Sequence, residues 1–389
     1  MIERNAVVRV LDGYNLSSIR IATIASHSAL DVCDGAAEEG FRTIAVAEKG
    51  REAPYARYFR ARRAPDGRVV RGTVDETLVL PRFRDVLSEK WQAHLRERDA
   101  LFVPNRSFTS YCDLGAIEDG FRVPLLGSRN LLRTEEREEA KSYYWLLEKA
   151  GLPTPEAIED PKEIDGLVIV KLHHKVKKLE RGFFTAASYA EYREKSAALL
   201  KQGVISKEDL RAARIERYII GPIFNLDFFY SPLAGAGDEP IELLGIDWRF
   251  ETSLDGHVRL PAVQQMTLGE AQKLPEYIVV GHNSATLRES SLKDAFELAE
   301  AYVKATQKHF PPGIIGPFTL QTAVDKDLAF HIYDVAPRIG GGTNVHVSVG
   351  HPYGNSLWRR PMSTGRRIAL EIRRGIAEGR LRELPRVNG

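Results

Sequence analysis

Residues 330–344 read FHIYDVAPRIGGGTN, where Asp334 closes an expected strand, Arg338 follows, and Gly340, Gly341 and Gly342 lead into Thr343 and Asn344. A carboxylate can hold a divalent cation, and a guanidinium can neutralise a phosphoryl oxygen. Consecutive glycines let backbone N–H groups approach an anion. The run therefore reads as a floor for nucleotide phosphates. Two upstream segments supply partners. DGLVIVKLHH, residues 165–174, is a β-branched strand ending in Lys171, a point charge suited to an α- or β-phosphate. In ARIERYIIGPIFNLDFFYS, residues 213–231, Glu216 opens a strand that continues through Tyr218, Ile219 and Ile220. That pattern suits an adenosine pocket, with backbone reading the base edge and the carboxylate meeting ribose hydroxyls.

Further candidates surround this set. His27 lies between Ser26 and Ser28 at the mouth of the first strand–helix turn, where N–H groups and the helix dipole favour an anion. A plain capping turn would look the same. Ser107, beside Arg106, occupies the equivalent mouth after a later strand. Gln321 and Asp334 flank a DKD turn, and an even-length turn there would put both on one sheet face, able to share a magnesium ion (or manganese). An amide oxygen would hold it less tightly than a second carboxylate. Asp247, Arg249 and Glu251 alternate along one strand, as either a ligand wall or a salt-bridged face, and Arg259 and His282 are additional polar candidates. The basic loop KLHHKVKKLERGF, 171–183, could clamp phosphates or form a solvated hairpin; nothing near His173 and His174 has zinc-ligand spacing. The aromatic run FNLDFFY reads as core.

These groups need a scaffold, and the chain is long enough to supply one. Its 389 residues with 43% hydrophobic content support two or three subdomains. With 55 basic and 53 acidic side chains, charge does not demand a polyanion, so no nucleic-acid partner is expected. Two cysteines, Cys33 and Cys112, give no disulfide framework and point to a reducing cytoplasm. No long apolar run calls for a membrane span. Residues 18–125 alternate strand and helix, which implies a parallel sheet with ligands at its carboxyl edge. Residues 60–98 read as arginine-rich and irregular before a short helix around 86–96, and 134–151 as one helix ending at Gly151. A C-terminal helix sets Ile368, Ile372 and Ile376 on one face, arginines opposite.

The order of lysine strand, Glu-x-Tyr-Ile strand, then acidic-x-x-Pro-Arg with glycines resembles the ATP-grasp superfamily. Its usual Glu-x-Asn-x-Arg ending is here Asp334, Ala336, Arg338. IATIASHSAL (21–30), AVAEKGREAPY (45–55), VPNRSFTSYC (103–112), GSRNLLRTEEREEAK (127–141), FYSPL (229–233), LRESSL (287–292), PPGIIGPFTLQ (311–321) and RIGGGTN (338–344) are similar, in order, to the archaeal formate-dependent 5-formaminoimidazole-4-carboxamide ribonucleotide synthetase family. The resemblance implies an α/β fold: an N-terminal parallel-sheet (pre-ATP-grasp) domain over 1–133, then an α+β ATP-grasp domain over 134–389. Within the second, a lid would span about 152–222 and a catalytic subdomain about 223–389. It implies a ligase that uses ATP, formate and aminoimidazole carboxamide ribotide in purine biosynthesis, forming ADP and phosphate through formyl phosphate. A homo-oligomer is expected.

By the same resemblance, His27 and Ser107 contact the ribotide with His282 beside it, Lys171, Glu216 and Glu251 serve ATP, and Gln321 and Asp334 occupy the metal positions. The residues themselves add Lys171 and Arg338 as catalytic, Gly341, Thr343 and Asn344 as substrate-binding, and Tyr218 and Ile219 beside ATP. The chain departs from the family in four places. Asn105-Arg106 replaces His-Gly, His282 replaces asparagine, Gly340 replaces aspartate, and a basic loop replaces a glycine-rich one. Another small acid, or a regulatory nucleotide-binding paralogue, is the alternative reading.

Overall fold

Strands covered on both faces must be apolar throughout, and the first sheet grows from two such segments. The computed structural model describes residues 3–172, 183–269 and 278–386. In it, β1 (Arg20–Ile24) and β2 (Arg42–Glu48) are buried almost end to end. With β3 (Glu76–Leu80) and β4 (Ala100–Phe102) they make a parallel sheet of order β3–β2–β1–β4. The region 60–98 is thus more regular than expected: it holds β3 and a hairpin of Arg62–Arg63 with Val69–Arg71. As an edge strand β3 buries only Leu78 and Leu80, too short an alternation to stand out among arginines.

Helix α1 (Ala29–Glu38) leaves the mouth of β1, and α2 (Arg106–Tyr111) follows β4. The next expected helix is shortened. Only α3 (Tyr143–Ala150) forms, with Gly151 in the left-handed region at its end, while 129–135 is a 3₁₀ segment and 136–142 is turns. Glu135, Glu136, Glu138 and Glu139 would crowd like charges along one helix turn. From the 3₁₀ segment and the turn after it, Glu135 and Arg137 point inward to partners described below.

A second sheet, antiparallel with order β7–β6–β8–β5, contains β5 (Ala157–Ile158), β6 (Val168–Lys171), β7 (Phe183–Ala186) and β8 (Arg214–Arg217). The basic loop between β6 and β7, residues 173–182, lies outside the described residues.

The third sheet, order β11–β10–β9–β12–β13, is antiparallel: β9 (Ile223–Tyr230), β10 (Ile241–Glu251), β11 (Val279–Ser284), β12 (Gly316–Val324) and β13 (Phe330–Ala336). Its apolar positions, among them Leu226, Phe228, Ile246, Phe318, Leu320 and Ile332, pack on α3 and α4 (Leu292–His309) through Leu146, Ala299 and Tyr302. The aromatic run is core, as its composition indicates.

The last helix, α5 (Thr364–Ala377), returns to pack on α1, burying Ile368 and Ile372 with Ile376 beside them. One core therefore joins Ile21 and Val32 to Phe229, Leu244 and Ile368. Its arginine face is not all in water. Arg367 is fully buried, donating to Glu242 and Glu371 and lying 4.2 Å over the Phe229 ring. No described helix is long and apolar enough to cross a membrane.

Candidate active site

The polar face of the third sheet is organised by register. Ser284 pairs with Asp247, Asp247 with Asn225, Asn225 with Gln321, and Gln321 with Asp334, a single rung across all five strands. The expectation that Gln321 and Asp334 share a face holds, but through a different geometry. The turn between Val324 and Phe330 has an odd number of residues, which alone would set Gln321 opposite Tyr333. A bulge at Tyr333 restores the pairing with Asp334. It also brings the Tyr333 carbonyl within 3.2 Å of Lys171 Nζ.

This rung floors a cavity of about 820 Å³ shared by all three sheets. His27, Lys171, Glu216, Tyr218, Ile219, Glu251, His282, Gln321, Asp334, Arg338, Gly341 and Asn344 all line it. Ser107 and Thr343 do not; both are fully buried behind the wall. Ser107 Oγ lies 3.0 Å from His27 Nδ1, and Thr343 sits against the Asp31 carboxyl, so each positions a neighbour. Arg259 is exposed at the end of the helix Thr252–Arg259, off the cavity wall.

At the parallel-sheet end, Asn105 caps α2 and donates to the Ile24 and Ser26 carbonyls at 2.8 and 3.0 Å, tying the two strand mouths together. His27 has a positive φ of 49° that aims its ring into the cavity. Burial, then Arg338 and Arg106, push its pKa down to about 4. Asn344 donates to the His27 carbonyl and accepts from Asp31 N–H, fastening the glycine run over α1. A Cβ at Gly342 would fall 2.1 Å from Asp247 Oδ1, and one at Gly340 would fall 2.5 Å from Thr319 Oγ1. Only glycines allow the run to lie on the sheet floor.

Arg338 is 5% exposed and bound to Glu135, which also takes Arg106 at 3.0 Å. Arg137 Nε donates to Tyr143 Oη at 3.1 Å and lines the cavity beside them. At the opposite end, Lys171 Nζ lies 2.5 Å from Glu216 Oε2 and donates to Tyr144 Oη at 2.8 Å. Burial pushes the Lys171 pKa down more than Glu216 lifts it. Burial would raise Glu216, but Lys171 and then Arg214, whose Nε is 2.6 Å away, hold it below the usual carboxylate range. Both Glu216 oxygens are thus engaged by protein cations rather than standing open. The Tyr218 N–H is donated to the Leu167 carbonyl at 3.0 Å. Ile169, Ile223, Leu254 and Val280 make this end apolar.

Glu135, Arg137, Asn225 and Asp227 escaped the sequence reading. Asn225 and Asp227 carried a usable signal, since they alternate within an otherwise apolar strand.

Comparison with known proteins supplies the family. Residues 191–385 match a domain of unknown function, DUF1297, and residues 21–158 a protein of unknown function, DUF1246. The 5-formaminoimidazole-4-carboxamide-1-(β)-D-ribofuranosyl 5'-monophosphate synthetase of Methanopyrus kandleri is 38% identical over 383 residues, 97% of this chain and 99% of the relative. This chain belongs to that synthetase family. Another member, the IMP biosynthesis protein PurP of Thermococcus kodakaraensis, has a crystal structure that superposes with TM-score 0.69 at 30% identity, covering 94% of this chain and 99% of that one. The ADP complex of the N5-carboxyaminoimidazole ribonucleotide synthetase PurK shares the fold at 13% identity and TM-score 0.53, over 89% of this chain and 78% of that one. The synthetase-family chain thus has the ATP-grasp fold, an N-terminal parallel-sheet unit followed by antiparallel layers.

The donor set suits a divalent cation that takes most of its oxygens from phosphates and water. Asp334 offers a carboxylate, and Gln321 stands directly opposite, its Oε1 currently accepting from Arg249.

Proposed function

We propose that this protein formylates the 5-amino group of aminoimidazole carboxamide ribotide, using ATP and formate and releasing ADP and phosphate. The observation that carries the reading is the continuity of one cavity. It runs from an anion-suited mouth at His27, Arg106 and Asn344 to an apolar, Lys171-lined end, with Arg338 and Asp334 along its wall.

An aminoimidazole nitrogen is a poor nucleophile and formate a poor electrophile, so the acid must first be activated as formyl phosphate. The protein's work is placement and charge balance. Lys171 and Arg338 offset negative charge on the transferring phosphoryl group, and Asp334 with Gln321 would hold magnesium, which shields the phosphates. The apolar end suits a purine base, with Glu251 closing that wall. His27, kept neutral and held by Ser107, can hydrogen-bond the ribotide phosphate or ring without adding charge.

Labelled formate incubated with ribotide, ATP and magnesium should enter the product only when ATP is present. ADP release with another acid but not formate would reassign the acid. Tight ribotide or ATP binding without ADP would make the protein a nucleotide-binding regulator.

A further inference from the structure

We propose that Arg249 seats the carboxylate of the acid substrate, between the metal rung and the ribotide end of the cavity. This deepens the formylation reading and rests on it.

Formate offers a protein little besides its carboxylate, and a planar guanidinium meets that group with two parallel N–H bonds. Most cations on the cavity wall are already committed to carboxylates of the chain. Arg106 and Arg338 share Glu135, Lys171 has Glu216, and Arg217 has Glu156 and Asp165. Arg249 differs. Its Nη2 donates to Gln321 Oε1, a neutral acceptor and its one hydrogen-bond partner among the described residues. Its Nε and Nη1 have no described partner, and neither is sealed off from the cavity that Arg249 lines. Burial works against its charge, but Tyr333, Asp334, Asp247 and Glu251 around it outweigh burial and hold its pKa above the ordinary value. The guanidinium is thus charged, half-buried and open to an anion.

Position selects it for the acid rather than for the nucleotide. One formate oxygen must face the terminal phosphorus, and the formyl carbon must then meet the amine, so the acid belongs between phosphate and ribotide. On one side Arg249 holds Gln321, which pairs with Asp334 in the metal rung. On the other it pairs across β10 and β11 with His282, which is near enough to His27 to bear on the His27 pKa. Arg137 is the other wall arginine with no carboxylate partner among the described residues. It is turned toward the nucleotide end, where its Nε donates to Tyr143 Oη and its charge acts on Lys171.

The test compares wild type with Arg249→Gln and Arg249→Lys. It measures KM for formate, ATP and ribotide in the formylation assay, and affinities for magnesium-ATP and ribotide by calorimetry. The formate KM should rise at least roughly 30-fold in the glutamine variant and about 10-fold in the lysine variant, whose point charge lacks the fork. High formate should restore turnover, and both affinities should stay within about threefold of wild type. Four results overturn the seat while leaving the ligase reading intact. They are a formate KM within about threefold of wild type, an equal rise for all three substrates, a change confined to magnesium-ATP affinity, or turnover that high formate restores in neither variant. If the glutamine variant does not fold, the lysine variant decides by the same criteria. A wild type that releases ADP only with another acid, whose KM rises in both variants, keeps the seat and overturns formate as the acid. A wild type that releases ADP with no acid overturns both.

Discussion

Glu216 is the most consequential single carboxylate in the scaffold of the site, and replacing it by glutamine tests the electrostatic account. Its side chain is fully buried, with Lys171 at 2.5 Å on one oxygen and Arg214 at 2.6 Å on the other. Lys171 is 6% exposed and, among the described residues, is left with the Tyr144 hydroxyl, the Tyr333 carbonyl and the faces of those two rings when the charge is gone. Removing one member of a buried pair costs about 3–5 kcal/mol, because the other charge is left uncompensated. Lys171→Met should cost less, roughly 2 kcal/mol, because Glu216 retains Arg214. The double variant should fall short of the sum by about 1–3 kcal/mol. Urea unfolding of the four proteins at pH 7 measures all three quantities. The glutamine variant should also regain stability as pH rises towards 10.5, since its folded Lys171 sheds a proton that the unfolded chain still holds. A loss below about 1 kcal/mol for Glu216→Gln, or strict additivity, would refute the reasoning.

Asp334→Ala should melt close to wild type, because the only described hydrogen bond to that side chain is from its neighbour Val335 N–H at 3.1 Å, yet lose at least roughly 100-fold in magnesium-dependent turnover. Within the glycine run, Gly342→Ala should cost about 1–3 kcal/mol by thermal or urea unfolding, with a new Cβ 2.1 Å from Asp247. Gly341→Ala, whose Cβ would meet His27 at 3.5 Å, should fold normally; equal losses would mean the run does not rest on the floor as described. His346 is 1% exposed, and burial, then His351, lower its pKa from 6.5 to about 4. The unfolded chain therefore takes up a proton between pH 6.5 and 4 that the folded chain refuses. The stability advantage of wild type over His346→Gln should shrink by about 3 kcal/mol across that window, measured by urea unfolding.

What the sequence by itself determined is local. Lys171 ends its β-branched strand as expected, Asp247, Arg249 and Glu251 share a face because strand side chains alternate, and the arginine and glycines after Asp334 stand over the floor. Each of these follows from a period of two or from a turn residue, read over fewer than ten positions. The strand–helix alternation of the first unit and its parallel sheet are legible for the same reason. Tertiary structure decided what depends on register between distant strands. It brought Asn225 into the rung, let the bulge at Tyr333 correct an odd-length turn, and sent Ser107 and Thr343 behind the wall. It also unwound the expected helix at 134–142 so that Glu135 could meet Arg338, more than two hundred positions away. The balance of charge inside a buried cavity is a property of all the segments that enclose it, and no one of them contains it.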